Sequence, residues 1–140
     1  MLSAFNRYLD APDLGKLILR VSFAAMMFLH GWHKVTHGID GIFKMLTAHG
    51  LPEFIGYGVY LGEVLAPILL ILGILTRPSA LLMLGTMVFA WLLAGTEQTF
   101  TLTKVGAWGI EHMMVYFFAS LAILFLGSGR YSVVSNPNLR

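Results

Sequence analysis

The sequence predicts an all-α protein: an integral membrane four-helix bundle with a short interfacial helix between its first and second spans. Of its 140 residues, 57% are hydrophobic and 11% are charged, and the mean hydropathy is +0.77. That composition is too apolar for an ordinary soluble domain. Four apolar segments approach the roughly 20 residues that a helix needs to cross a hydrocarbon core. None alternates with a period of two, and backbone groups in lipid must pair within their own segment, so helices are expected.

The four predicted spans belong to a single membrane domain, residues 1–140. The residues before the first span lack the compact basic-then-apolar layout of a cleaved signal peptide, so that span is expected to be retained. A very short connection at Thr76, Arg77 and Pro78 predicts that the second and third spans are antiparallel neighbours. The spans cover about residues 14–32, 54–75, 78–95 and 109–127.

Two connecting segments are long enough to describe. Residues 38–52 place Ile42, Phe43 and Leu46 on one helical face, and Gly50 and Pro52 supply a stop signal. This segment is too short to span and is predicted to be the interfacial helix. The connection over residues 96–108 is polar, and no regular structure is expected there.

Basic residues in short loops predict the orientation. An even number of spans puts both termini on one side, together with the connection at Arg77. The two sides carry five basic residues, Arg7, Lys16, Arg77, Arg130 and Arg140, against three, Lys34, Lys44 and Lys104. We therefore expect a multi-pass membrane protein with both termini cytoplasmic.

Several ionisable residues fall inside the predicted spans. With a rise of 1.5 Å per residue, Glu63 lies within about 2 Å of the middle of the second span, and Arg20 lies about 4 to 5 Å to the cytoplasmic side of the first. His30 and His112 come out roughly 9 to 11 Å above the midplane, beside Glu111. Because such groups are costly in lipid, they are expected to face the bundle interior as one polar cluster.

Glu63 is the strongest candidate for a functional residue. Pro67 removes the hydrogen bond that the Glu63 carbonyl would otherwise accept, which predicts a kink beside a buried acid, with Tyr60 one turn earlier. Intramembrane acids are functional by default, although Glu63 could instead only pair with Arg20.

Histidines at the end of the first span form a second candidate site. His30, Lys34 and His37 follow i, i+4, i+7 spacing, with His33 at the border, so a helix that continues past Gly31 would carry them as one stripe. Such a stripe suits proton relay or contact with an anion or quinone. Metal binding by His30, His33 and His37 is an alternative, because histidine is a common ligand. Methionine pairs beside these histidines would suit Cu(I), but methionine is more often core filling.

A series of short motifs runs along nearly the whole chain. In order, they are His30-Gly31-x-x-Lys34, Gly50-x-Pro52, Glu63, Gly73-x-x-Thr76-Arg77, Glu111, and Gly127-x-Gly129 before Ser132. Each motif is weak alone, but their order, the length and the four spans together resemble the DoxX family of small bacterial membrane proteins. The resemblance implies a location in the bacterial cytoplasmic (inner) membrane. Where the family commonly closes with Gly-Pro-Gly and Ser-Leu-Asp, this chain has Gly127-Ser128-Gly129 and Ser132-Val133-Val134.

The resemblance implies a membrane subunit of a quinone-linked oxidoreductase, related to sulfur-compound oxidation or oxidative stress. Catalytic roles are expected for Glu63, His112 and Glu111, and ligand binding for His30, Lys34, Arg20 and Tyr60. The resemblance also implies a quinone as the ligand. Because the sequence has no haem or flavin signature, the electrons are expected to come from a partner subunit or from the substrate itself. The alternatives are a transporter or metal-handling protein and a non-catalytic scaffold.

Membrane lipid, a redox partner subunit and further copies of the chain are the expected partners. Nucleic acid is excluded by a net charge of only +2 without a basic cluster. The absence of cysteine excludes thiolate metal sites and disulfides within these residues.

Overall fold

The computed structural model describes residues 1–140 as an all-helical protein with six α-helices and no strands. Short 3₁₀ turns occupy Glu53–Gly58, Thr96–Gln98 and Pro137–Leu139, and a π-helical turn occupies Leu61–Leu65. The α-helices are α1 Leu2–Leu9, α2 Pro12–His37, α3 Asp40–Ala48, α4 Ala66–Leu72, α5 Thr76–Ala94 and α6 Glu111–Leu126.

Three helical segments are long and apolar enough to cross a membrane: Pro12–His37, Glu53–Leu72 and Thr76–Ala94. They correspond to the first three predicted spans. The fourth predicted span forms α6, an apolar helix of 16 residues. Apolar side chains such as Leu29 and Phe125 remain exposed on the outside of these helices, as expected for surfaces in contact with lipid.

The second span is irregular where Glu63 and Pro67 occur. It begins as a 3₁₀ helix, passes through the π turn Leu61–Leu65, and becomes α-helical at Ala66. The backbone N–H of Ala66 donates to the Leu61 carbonyl. A wider turn just before Pro67 accommodates the missing proline N–H, because π turns shift the hydrogen-bond register by one residue.

The turn between α4 and α5 lies three residues earlier than predicted. Gly73 has φ +74° and ends α4 in the left-handed conformation, which glycine adopts without a steric penalty. Leu75 also has a positive φ, of 45°, and α5 begins at Thr76. Pro78 therefore lies in the first turn of α5, where its missing N–H would have had no helical partner.

The core lies between α2, α4, α5 and α6. Small side chains, Ala24 on α2 and Ala80 on α5, allow these helices to approach closely, as is common in membrane bundles. The α5 helix packs along α6, while α2 packs against α4, the π turn and α6. The buried apolar cluster consists of Ala24, Met27, Leu70, Ala80, Met83, Met87 and Ile123.

The connection over residues 96–108 is more regular than predicted. It contains a 3₁₀ turn and an antiparallel bridge between Leu102 and Trp108. The Trp108 indole donates to the Thr99 carbonyl at 2.6 Å, and the Trp91 indole donates to the Thr99 hydroxyl at 2.8 Å. The expectation of an unstructured loop was wrong because these hydrogen bonds tie Thr99 both to Trp108, nine residues later, and to Trp91 on α5.

The C-terminal segment, residues 127–140, folds back over the turn between α4 and α5. The Leu75 N–H donates to the Leu139 carbonyl at 2.7 Å, and the Val133 N–H donates to the Leu72 carbonyl at 3.0 Å. The Ser132 hydroxyl donates to the Gly73 carbonyl at 2.8 Å. These bonds satisfy backbone groups at the end of α4 and fix the segment on the bundle.

Candidate functional site

Lys34 and Glu63 form an ion pair between α2 and the π turn, in which the ammonium donates to Oε2 of the carboxylate. The Glu63 side chain is 6% exposed and that of Lys34 is 27% exposed. Because α2 continues unbroken to His37, Lys34 lies at the level of Glu63 and not in a loop. The pair places a buried acid and its cation within the apolar bundle.

Gly31 brings α2 close enough for this pair to form. A Cβ on Gly31 would overlap the backbone carbonyl of Glu63 and would lie 2.8 Å from Cγ2 of Val64. The close approach therefore requires glycine at this position. One turn along α2, the Tyr60 hydroxyl donates to the Lys34 carbonyl at 3.3 Å. Tyr60 thus contacts the backbone of Lys34 and does not line either cavity described below.

The ion pair lies in the wall of a cavity of about 480 Å³, here called the central cavity. Eleven of its 17 lining residues are hydrophobic, so the charged pair is the main polar feature of a mostly apolar site. Thr86 and Gly85 line it from α5, and Met113 from α6. A pocket of this size with few polar groups is typical of small-molecule sites. The remaining residues in its wall are Ile42, Met45, Ile55, Gly56, Gly58, Val59, Leu81, Leu82, Phe89, Ala90, Leu93 and Ala94.

A second cavity of about 470 Å³ lies between α2 and α6, here called the histidine cavity. The Tyr116 hydroxyl lies 3.5 Å from Nε2 of His30, and the two rings meet edge to face. Lys34 lines both cavities. The ion pair therefore lies between the two, which are otherwise formed by different residues. The histidine cavity is lined by Met26, Leu29, His30, His33, Lys34 and Tyr116.

Arg20 does not pair with Glu63. Its guanidinium is 1% exposed and donates through Nη1 to the carbonyls of Leu70, at 2.5 Å, and Ile71, at 3.0 Å, and through Nη2 to the Tyr131 carbonyl. The alternative in which Glu63 pairs with Arg20 is not what the structure shows, because Lys34, on the same helix, pairs with the Glu63 carboxylate. Arg20 instead binds carbonyls at the end of α4, where helices lack internal donors.

Glu111 and His112 are not brought to Glu63. Both are exposed at the start of α6 and neither lines either cavity. The expectation of one polar cluster that includes them was wrong, because the inward face of α6 carries Tyr116, Ala119 and Ser120 instead.

The predicted histidine stripe forms but does not converge. His33 and His37 stack with their ring centroids 4.2 Å apart, while His30 turns toward Tyr116. No group of three or more His, Cys, Asp or Glu side chains is arranged to hold a metal ion. Residues one and two turns apart share a helix face, but their side chains adopt different directions.

Tyr116 and Thr86 are the site residues that the sequence did not single out. Tyr116 precedes the buried Ala119 and Ser120 by three and four residues, so small residues at this spacing were a signal that it faces the interior. Thr86 lies within an apolar span beside Gly85, and a Cβ on Gly62 would overlap its hydroxyl. Two glycines near one polar residue are a signal of close helix contact.

Comparison with known proteins assigns the chain to a family. The DoxX family model matches residues 15–96, which is 82 of 140 residues. The chain belongs to the DoxX family. The match contains Lys34 and Glu63, while Tyr116 and the C-terminal segment lie beyond the matched residues. The DoxX assignment and the three apolar helices together describe a multi-pass membrane protein.

The chain is also similar to a protein of Bacillus subtilis (strain 168) named "Putative oxidoreductase CatD". The two are 31% identical over 78 residues. The alignment covers 56% of this chain and 58% of the relative, less than two thirds of the relative's length. No solved structure matches the chain.

Proposed function

We propose that this DoxX protein is the quinone-binding membrane subunit of an oxidoreductase. The observation that carries the proposal is the Lys34–Glu63 ion pair in the wall of the apolar central cavity. Membership of the DoxX family and the oxidoreductase name of the Bacillus relative are consistent with this class of reaction. The reaction would belong to sulfur-compound oxidation or to the response to oxidative stress, as the family resemblance implies.

The proposed setting is a four-helix bundle in the bacterial inner membrane with both termini cytoplasmic. A helix of 16 residues is about 24 Å long, so α6 would cross with the help of its flanking residues. Its packing along α5 supports a crossing parallel to the other spans. Helix α3, with Leu46 buried against the bundle, would lie at the outer interface.

The chemistry assigned to the pair is hydrogen bonding and proton transfer at a quinone carbonyl. The Lys34 ammonium donates a hydrogen bond to the carbonyl oxygen, and the Glu63 carboxyl exchanges a proton with it. Reduction of a quinone to a quinol consumes two electrons and two protons, and the protons would come from water and reach the quinone oxygens through Glu63. The electrons would come from a partner subunit or from the oxidised substrate, because the chain has no cysteine for an iron–sulfur cluster and no haem or flavin signature.

The shape of the central cavity suits a ligand with a long apolar tail. Its wall includes Leu81 and Leu82 on α5, which are 56% and 41% exposed. A quinone ring beside the ion pair would let its tail leave the cavity over these leucines into lipid. Binding would thus use the membrane itself as part of the site.

Quinone binding to the purified protein tests this proposal. We expect quinone in lipid extracts of the protein, and saturable binding of decylubiquinone or a short-chain menaquinone in nanodiscs by calorimetry. Glu63→Gln and Lys34→Gln should each weaken binding by about tenfold or more, because a hydrogen bond to a charged group contributes about 1.5 to 3 kcal/mol.

Glu97→Gln is the matched control, since Glu97 is exposed and lines neither cavity. It should bind quinone like the unmodified protein. Wild-type protein that binds neither quinone, or site variants that bind both like the control, would reject the proposal.

A further inference from the structure

Helix α1, Leu2–Leu9, is an amphipathic helix that none of the rest of the chain covers. It has no buried residue. Leu2, Phe5 and Leu9 are 78%, 60% and 60% exposed. Apolar side chains so exposed at successive turns indicate an uncovered contact surface.

The apolar side chains of α1 form one continuous face. With 3.6 residues per turn, Leu2, Phe5 and Leu9 lie within an arc of about 60°, and Tyr8 widens the arc. Ser3 and Arg7 lie on the opposite arc, and Asn6 lies at the border between the two arcs. A short helix divided in this way is suited to the boundary between apolar and aqueous phases.

The position of α1 along the chain fixes what it meets. Only Asp10 and Ala11 separate it from α2, which begins at Pro12. Two residues and their flanking bonds span about 10 Å at most. Because α2 enters the membrane, α1 must lie at or near the membrane surface.

Charge around this entry point is biased toward cations. Arg7 lies on α1, Lys16 lies in the first turns of α2, and the C-terminal segment adds Arg130, whose N–H donates to Oδ1 of Asp13 at 3.2 Å. The acidic residues in the same region are Asp10 and Asp13, so it contains three basic and two acidic residues. A basic rim beside an apolar helix face is complementary to anionic lipid headgroups.

We infer that α1 docks on the cytoplasmic lipid surface, with Leu2, Phe5 and Leu9 between the acyl chains and Arg7 among anionic headgroups. The occupant of the apolar face is therefore lipid. This site is separate from both cavities and does not depend on quinone binding.

Single-cysteine labelling of the full chain tests the inference, since the protein has no cysteine that would give background labelling. Phe5→Cys and Ser3→Cys, each carrying an environment-sensitive fluorophore, are placed in nanodiscs of phosphatidylcholine with and without phosphatidylglycerol, at one copy and, separately, at two copies per disc. The two positions lie about 160° apart on the helix and serve as controls for each other. Quenching is measured with aqueous iodide and with a nitroxide on the lipid chain.

We expect iodide quenching at position 5 to be severalfold weaker than at position 3, and nitroxide quenching to be severalfold stronger. Phosphatidylglycerol should enhance the contrast, and Arg7→Gln should remove that enhancement. Equal quenching at both positions would overturn the inference. Protection of position 5 only in discs that hold two copies would overturn it in favour of self-association, and a contrast independent of phosphatidylglycerol would reject the role of anionic lipid.

Discussion

At the residue scale, Lys34 and Glu63 differ in exposure, and this difference determines the effect of breaking their pair. Lys34→Gln leaves a nearly buried carboxylate without its cation. We expect it to reduce the free energy of unfolding by about 3 kcal/mol. Glu63→Gln leaves a more exposed ammonium on a flexible stem that can turn toward water, so its effect should be about 1 kcal/mol. Thermal and denaturant unfolding in one detergent measures both.

The double variant Lys34→Gln/Glu63→Gln separates stability from binding. With both charges removed, stability should return to within about 1 kcal/mol of the unmodified protein, while quinone binding stays lost. If Glu63→Gln were the more damaging single change, the assigned order of burial would be contradicted. If the double variant regained quinone binding, the ion pair would be structural only.

Gly31 provides a second prediction at the residue scale. In Gly31→Ala the new methyl overlaps the Glu63 backbone carbonyl, which cannot turn away as a side chain could. The two elements must separate, at a cost of about 2 kcal/mol or more, and the Lys34–Glu63 pair should weaken with them. Unfolding midpoints and quinone affinity measure the two consequences.

Gly15→Ala is the control on the same helix, because a Cβ there meets nothing within 4 Å. It should leave stability unchanged or raise it by up to about 1 kcal/mol through helix propensity. A Gly31→Ala protein as stable as Gly15→Ala would show that α2 does not need its close approach to the π turn.

At the element scale, hydrogen bonds from the Arg20 guanidinium to the carbonyls of Leu70, Ile71 and Tyr131 hold the C-terminal segment on the bundle, and this set of bonds is here called the Arg20 clamp. In Arg20→Gln, the carbonyls of Ile71 and Tyr131 lose the Arg20 donor, and an unsatisfied buried carbonyl costs about 1 to 3 kcal/mol. The Leu70 carbonyl also loses Arg20 but keeps the Gly73 N–H at 3.2 Å. The segment should detach, which exposes the bond after Arg130 to trypsin. Cleavage rates by mass spectrometry test this in the solubilised protein.

Two further variants sharpen the comparison. Ser132→Ala removes one hydrogen bond to Gly73 and should accelerate cleavage less than Arg20→Gln does. Arg7→Gln changes an exposed arginine and should not alter the rate. Equal cleavage rates in Arg20→Gln and the unmodified protein would show that the Arg20 clamp does not hold the C-terminal segment.

The sequence predicted the positions of the helices better than it predicted which side chains pair with each other. Apolar length located α2, the second span and α5 because hydropathy is a local property. It ended the first span at Trp32, although the helix continues to His37 because Lys34 finds Glu63 29 residues away. The partner of Arg20 could not be predicted for the same reason: depth placed it near Glu63, while its acceptors are backbone carbonyls, which carry no sequence signal.

At the scale of the whole molecule, the number of membrane crossings determines the side of the membrane on which the C-terminus lies. If α6 crosses, the connection over residues 96–108 and the C-terminal segment lie on opposite sides. A reporter active only outside the cytoplasm should then be active when fused after Lys104 and silent when fused after Arg140. The silent position is expected to be Arg140 because basic residues are more numerous on the side of the two termini, and such residues favour the cytoplasmic side. Equal activity at the two positions would mean that α6 does not cross.

The Arg20 clamp also imposes an order on biosynthesis. The carbonyls that accept from Arg20 come later in the chain, Leu70 by 50 residues and Tyr131 by 111. A nascent chain therefore carries an arginine into the bilayer before the groups that bind it have been made, at a cost of at least about 2.5 kcal/mol. Synthesis of Tyr131 supplies the last of these acceptors, so chains that stop earlier retain an unsatisfied cation that proteases of the membrane can detect. Pulse-chase labelling should show ribosome-released chains that end before Tyr131 decaying faster than those that include the whole segment, and equal lifetimes would rule out this role for the clamp.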